Sequence, residues 1–327
     1  MEAENIKKQI FRIKNDRDFE EIALRVYNLQ AASNPVFAEF LDITGRPKAI
    51  SSLTQATFMP IDFYKTRNVV LGGMEISLEF KSSGTTKGGV RSRHLIHDIA
   101  LYRSSFQKCF ELFVGAPEEM EILSLLPNYE ENKDSSLLFM VHELKKMGIK
   151  ADRSFNSTEE LMGAMSRNSD DSKETILFGV SFALLDMAER AAGDLSHITI
   201  IETGGMKGMR KEITREELYK TLQTKLNPKA ILSEYGMTEL LSQAYANQSG
   251  IFYTPPWMSI SIRDLNDPFS RSAKSSGAIN VIDLANLYSC SFIATEDLGR
   301  LHEDGGFEVL GRMDFSDIRG CNLLYEN

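Results

Sequence analysis

Residues 176–205 read ILFGVSFALLDMAERAAGDLSHITIIETGG. Ile176–Val180 is a short apolar run, Phe182–Ala191 repeats apolar groups at helical spacing, and Ile198–Glu202 is a second apolar run that ends in Thr203-Gly204-Gly205. Strands apolar on both faces, joined by a helix that crosses back over them, predict a parallel sheet with helices on its faces. The alternation extends in both directions. Ile122–Leu126 and Ala230–Leu232 read as further strands, and Ser136–Met147, Thr158–Met165 and Arg215–Leu226 as helices. Upstream, Asp18–Gln30 is an amphipathic helix that opens the chain, and residues 74–80 (MEISLEF) form a strand. A Gly/Ser/Thr loop follows, then a helix from about His94 to Phe113. After Ser249 the texture changes. WMSISI (257–262), GAINVIDL (277–284) and SCSFIA (289–294) are short strands between turns. The expected organisation is an α/β core with an N-terminal helical segment over 1–248, and a β-rich subdomain with a C-terminal tail over 249–327.

The chain has 46 acidic against 37 basic residues, a net charge of -9, and no basic tract. Nucleic acid and anionic membrane surfaces recruit clustered Lys and Arg, so neither is an expected partner. Residues 1–15 are charged rather than apolar, and no apolar run approaches membrane-spanning length, so a cytoplasmic protein without a membrane span is expected. Cys109, Cys290 and Cys321 lie far apart, without the spacing of a disulfide framework or a metal site. His94 and His97, three apart at a helix start, could ligate a metal but have no third ligand in sight and read as helix-surface residues, and His142 reads as a residue that approaches the acyl pocket.

Three constellations could carry chemistry. In Lys81-Ser82-Ser83-Gly84-Thr85-Thr86-Lys87-Gly88-Gly89, glycines allow close backbone approach while hydroxyls, N–H groups and Lys87 suit phosphate oxygens. It lacks the order of a Walker loop, and a surface turn is the plain alternative. Ser233-Glu234-Tyr235-Gly236-Met237-Thr238-Glu239 follows a strand, where α/β sheets bind ligands. Tyr235 could lie against a base, Thr238 could reach a phosphate and Glu239 could hold Mg²⁺, or Glu239 could simply open a helix. Thr295-Glu296-Asp297-Leu298-Gly299-Arg300 and Gly311-Arg312-Met313-Asp314 place Asp297 where a carboxylate could accept ribose hydroxyls, unless they are two acidic hairpin turns.

In this order the motifs resemble the adenylate-forming superfamily, which includes acyl-CoA synthetases and the adenylation domains of peptide synthetases. The resemblance runs from about Glu79 to Gly320. Within it, MPIDFYKT (59–66), FKSSGTTKG (80–88), SSLLFMVHEL (135–144), ETGGMKG (202–208), SEYGMTELLSQAY (233–245) and GRMDFSDIRGC (311–321) are most similar to the acyl-protein synthetase (LuxE-type) family known from bacterial bioluminescence.

This resemblance implies the fold of the large N-terminal domain of such enzymes, with the small C-terminal domain and its lysine absent. It implies ATP and Mg²⁺ as cofactors. Ser82, Ser83, Gly84, Thr85, Thr86 and Lys87 would hold the phosphates, with Lys87 also stabilising charge during the reaction. Gly204 and Gly205 would wall the adenine pocket and the Tyr235–Gly236 turn would complete it. Thr238 would contact the α-phosphate, Glu239 would bind the metal, and Asp297 would take the ribose with Arg312 nearby. Glu296 replaces the glycine usual between Thr295 and Asp297. Activation of a carboxylic acid, by resemblance a fatty one, would be followed by transfer to Cys321 as a thioester, and then to an acyl-accepting reductase, transferase or carrier protein. The alternatives are transfer to CoA or a carrier thiol outside the chain, and a non-catalytic adenylate-binding scaffold.

Overall fold

The computed structural model describes residues 2–83, 90–149, 158–167, 174–190, 193–204, 213–265, 267–270 and 275–313. The chain begins with helices α1 (Glu2–Ile10), α2 (Asp16–Ser33) and α3 (Pro35–Ile43), then a two-residue strand β1 (Met59–Pro60) and a short helix α4 (Phe63–Thr66). Strands β2 (Leu78–Lys81) and β3 (Arg93–Ile96) precede helix α5 (Ile99–Phe113). The α/β core comprises β4 (Met120–Leu125), α6 (Ser136–Met147), α7 (Thr158–Arg167), β5 (Glu174–Gly179), α8 (Ser181–Arg190), β6 (Ile198–Glu202), α9 (Arg215–Leu226) and β7 (Ala230–Tyr235). Strands β8 (Ala244–Ala246), β9 (Phe252–Tyr253), β10 (Met258–Arg263), β11 (Ser276–Asp283), β12 (Phe292–Leu301) and β13 (Phe307–Arg312) complete it.

Strands β4 to β7 are parallel neighbours, as their apolar runs predict. Alternate side chains serve two cores: Ile122, Ile176 and Ile201 belong to one, and Leu123, Leu177 and Ile200 to the other. On the first side the sheet meets Phe106, Phe110 and Phe139 of α5 and α6. On the second it meets Leu161, Leu184 and Leu222 of α7, α8 and α9. Both faces are therefore covered, which is the physical reason for the unbroken apolar runs.

From β7 the sheet continues without a break, now antiparallel, through β8, β9, β13, β12, β11 and β10. Strand β1 adds parallel to the first half of β12, with Met59 opposite Ile293. Helix α2 lies over this half. The Tyr27 ring meets the Phe37 and Phe292 rings edge-on at 5.4 and 5.0 Å. The buried Gln30 amide donates to the carbonyls of Asn286 and Leu287 at 2.9 and 3.0 Å.

Four local expectations are corrected. The helix read from His94 starts at Ile99, because Asp98 Oδ1 accepts from the N–H groups of Ala100 and Leu101 at 3.0 and 3.1 Å and caps it there. His94 instead lies on β3, which pairs antiparallel with β2, so a strand intervenes between the Gly/Ser/Thr loop and the helix. The strand read over 74–80 is confined to Leu78–Lys81. Glu239 opens no helix: Asp283 Oδ2 accepts from the N–H groups of Leu241 and Ser242 at 2.8 and 2.9 Å, and its Oδ1 from the Ser242 hydroxyl at 2.6 Å, which holds this segment in a turn. Finally, Thr295–Arg300 is no hairpin turn but the middle of β12, with a register shift at Leu298/Gly299. An extended strand has no need of a glycine at position 296. Helix α1 has no counterpart in the elements read from the sequence.

Candidate active site at the carboxyl ends of the strands

The carboxyl ends of β5, β6 and β7 lie side by side, with Gly179 opposite Glu202 and Glu202 opposite Ser233. Glu202 is buried and fully engaged. Its Oε1 accepts from the Ser181 hydroxyl and its Oε2 from the Ser233 hydroxyl at 2.8 Å, and Ser233 also meets the Tyr219 hydroxyl at 2.6 Å. Glu202 thereby ties the end of β6 to β7 and to the start of α8. After β6, Gly204 has φ +48, a left-handed conformation that favours glycine, and nothing lies within 4 Å of where a Cβ would stand. The backbone conformation, not the space, selects glycine there.

Tyr235 ends β7 and is buried, its ring 5.8 Å from Phe252 and 5.4 Å from Phe307. Its hydroxyl donates to Asp297 Oδ2 at 2.8 Å, joining two motifs that are 62 positions apart. Burial raises the Asp297 carboxyl above its ordinary range, against the Tyr235 hydrogen bond and the charges of Arg312 and Arg263. Burial and then the Asp297 charge push the Tyr235 phenol well up. Arg263, buried beneath, donates to the Ile279 carbonyl at 2.7 Å and to the Thr295 carbonyl. Arg312 stands opposite Asp297 in the β12–β13 register, but its guanidinium pairs with Glu296 at 3.0 Å.

The turn after Tyr235 is pinned from below. The Thr238 carbonyl can only accept, so His94 Nδ1 carries the proton and donates at 2.7 Å, and His94 Nε2 accepts from the Ser289 hydroxyl at 3.0 Å. His94 is fully buried, and burial lowers its pKa to about 4. The Glu239 carbonyl accepts from Asn286 Nδ2 at 2.8 Å. Its buried carboxyl is raised by burial, which outweighs a hydrogen bond from Ser92 and the charges of Arg312 and Lys65. Lys65 pairs with Asp62 at 2.5 Å, and that bond leads the upward shift of its own pKa.

Ser82 lies at the end of the β2–β3 ladder, where its Oγ accepts from the Ser92 N–H at 3.0 Å. Arg91 braces the same end, donating to the Ser82 and Lys81 carbonyls and pairing with Asp134 at 2.9 Å. Ser83 is exposed. Gly84, Thr85, Thr86, Lys87, Gly205, Asp314 and Cys321 lie outside the described residues. The structure thus brings together Tyr235, Gly236, Thr238, Glu239 and Asp297, with Arg312 at the rim. Sequence reasoning did not single out His94, Ser92, Arg263 or Glu202 for this site. Of these, Ser92 and Arg263 gave no local signal, His94 was read as a helix-surface residue, and Glu202 was legible as the end of a strand and the start of ETGGMKG, with no role assigned. Cys109 and Cys290 are buried thiols, and burial pushes Cys290 up to about 12.

No family model matches the chain, and no curated protein does. Solved structures match it in fold. ATP-bound MatB from Rhodopseudomonas palustris superposes with a TM-score of 0.56 at 16% identity, over 74% of this chain and 49% of that one. A double mutant of o-succinylbenzoate CoA synthetase (MenE) from Bacillus subtilis, with its product analogue OSB-NCoA, gives 0.53 at 20% identity over 73% of this chain and 50% of that one. These neighbours are adenylate-forming, acyl-CoA synthetase-like enzymes. The fold is that of their N-terminal domain. Apo MatB gives 0.51 at 15% identity and covers 82% of this chain and 51% of its own. The chain therefore spans about half the length of the solved structures it matches. Among the described residues, no helix is long and apolar enough to cross a membrane.

Proposed function

We propose that the chain uses ATP to activate a carboxylic acid as an acyl-adenylate. The observation that carries this reading is the Tyr235–Asp297 pair, set beside the Thr238–Glu239 turn at the carboxyl ends of parallel strands. Asp297 gives one lone pair to Tyr235 and keeps Oδ1 for ribose hydroxyls. Gly204 and Gly205 would wall the adenine, and Ser82, Ser83, Gly84, Thr85, Thr86 and Lys87 would meet the phosphates. Arg312 would join them by leaving Glu296, an exposed pair worth no more than about 1 kcal/mol.

Glu239 fits a magnesium ion carried in with the triphosphate. Its carboxylate is buried and incompletely compensated, and Mg²⁺ is commonly held by one or two carboxylates plus phosphates rather than by a protein cage. When bound, the ion would offset charge on the phosphate oxygens. A carboxylate oxygen of the acid forms a bond to the α-phosphorus, the bond to the bridging oxygen breaks, and pyrophosphate leaves with the electron pair. Thr238 and Lys87 would stabilise the charge that spreads over the phosphoryl oxygens. In the second step the Cys321 thiolate attacks the acyl carbonyl carbon and AMP departs, giving a thioester for a reductase, transferase or carrier protein. The resemblance points to a fatty acid.

Acid-dependent ATP–pyrophosphate exchange tests the first step. Glu239→Gln should suppress exchange while ATP still binds. Asp297→Ala should weaken ATP binding by about 1–3 kcal/mol. ATP binding without exchange for any acid would leave a non-catalytic adenylate binder. Cys321→Ser should keep exchange and lose hydroxylamine-labile labelling by radioactive acid; full labelling of that variant would move the acceptor to an outside thiol.

A further inference from the structure

Glu234 has no task in that scheme, and its surroundings leave it unpaired. It stands on β7 opposite Tyr245 of β8, so its side chain leaves the sheet on the face away from Ser233 and Tyr235. The buried Tyr102 and Cys109 of α5 lie close enough to feel its charge. Its Oε1 is 2.2 Å from where a Cβ on Gly236 would stand, so the carboxylate touches the turn on which the adenylate would form. Among the described residues no hydrogen bond or ion pair reaches either oxygen, and the charge that acts on it is that of Glu202, of the same sign. Two more polar atoms beside it are buried without a partner, Gln243 Oε1 and Tyr245 Oη. Their residues are only 4% and 3% exposed. The Gln243 Cγ is itself 3.6 Å from the same Cβ position on Gly236.

Each unpaired buried polar group costs about 1–3 kcal/mol, so Gln243 Oε1 and Tyr245 Oη beside an unpaired carboxyl are costly unless a ligand completes them. Gln243 Oε1 accepts, the Tyr245 hydroxyl donates or accepts, and the Glu234 carboxyl becomes a full acceptor once an opposite charge draws off its proton. A hydroxyl on the ligand would supply one donor and no charge, whereas an ammonium supplies three donors and the opposite charge. Glu234 is intermediate in exposure rather than buried. We propose that Glu234 receives the amino group of the substrate, so that the acid activated at this turn carries an ammonium close to its carboxylate and is not a plain fatty acid. This inference rests on the acyl-adenylate reading of the same site. Burial, and then the charge of Glu202, push the Glu234 carboxyl up to about 8, so an ammonium beside it would be what holds it ionised at neutral pH.

Matched pairs of acids in which a methyl replaces the amine provide the test: alanine and isobutyrate, β-alanine and butyrate, γ-aminobutyrate and valerate. The nucleotide is titrated first, as the α,β-methylene analogue of ATP, so that a failure of the adenylate reading shows before any acid is added and overturns both. Once nucleotide binding is established, at least one amine-bearing acid should support ATP–pyrophosphate exchange, measured with ATP itself, with kcat/KM at least about tenfold above its methyl partner. E234Q should raise KM for that acid and erase the preference, and E234D, which keeps the charge, should restore it in part. Preference for the methyl partners or for long-chain fatty acids in the parent protein would overturn the assignment and leave adenylation standing. So would a preference that E234Q does not alter, since Glu234 would then serve only its Tyr245 neighbour.

Discussion

The His94 imidazole holds the Thr238 carbonyl with one nitrogen and Ser289 with the other, in a place without solvent. Protonation would turn its acceptor nitrogen into a donor facing a hydroxyl and would bury a charge. The native state therefore resists protonation down to about pH 4, while the unfolded chain takes up the proton near its ordinary value of 6.5. A depressed native pKa means stability that is complete above 6.5 and is lost as pH falls toward 4, by about 3 kcal/mol in order of magnitude. Urea unfolding at a series of pH values should show this loss, and His94→Asn should flatten it. A His94 ring that titrates near its ordinary value in the folded protein would refute the assignment. The sequence reading placed this residue on a helix surface, because nothing local shows that His94 lies on a buried strand. Asp297 was legible as a candidate, yet its hydrogen bond to Tyr235 was not, since four successive strand pairings along the sheet separate β7 from β12.

At the scale of elements, apolar runs and helical spacing were read well wherever both faces of a segment are covered. Strand β6 and helices α6 and α9 carry the bounds expected of them. The failures are at polar boundaries, where Asp98 ends a loop and Asp283 holds a turn across a distance of more than forty residues. Helix α9 is delimited by a capping box, in which the Thr214 hydroxyl accepts from the Glu217 N–H at 3.2 Å and the Glu217 carboxylate accepts from the Thr214 N–H at 3.1 Å. Asn227 closes it in the left-handed conformation, with φ 45. Thr214→Ala should cost about 1 kcal/mol of global stability. Because α9 carries Tyr219 onto Ser233, the same variant should loosen the rim around Glu202, seen as faster amide exchange of the β7 carboxyl end. Unchanged exchange there would mean that the helix start and the rim are uncoupled.

For the molecule as a whole, the N-terminal helices are fastened to its far end. Gln30 meets the backbone of Asn286, Leu287 and Ser291, and the Asn34 amide donates to the Ser289 carbonyl at 2.8 Å. Gln30→Leu strands those groups and should cost about 1–3 kcal/mol. With one sheet running from β4 to β10, unfolding should remain a single transition in which near- and far-ultraviolet dichroism coincide. An early loss of one signal would show the helical layer melting separately. The fastening also has a consequence for synthesis. Ser291 follows Gln30 by 261 positions. At about 5–20 residues per second, roughly 13–50 s pass between their emergence from a ribosome. Throughout that interval the apolar stripe of Ile22, Val26 and Tyr27 has been translated but its docking partner has not. The nascent N-terminus is thus a natural client for a co-translational chaperone, and stalling translation before Phe292 should leave it exposed to one.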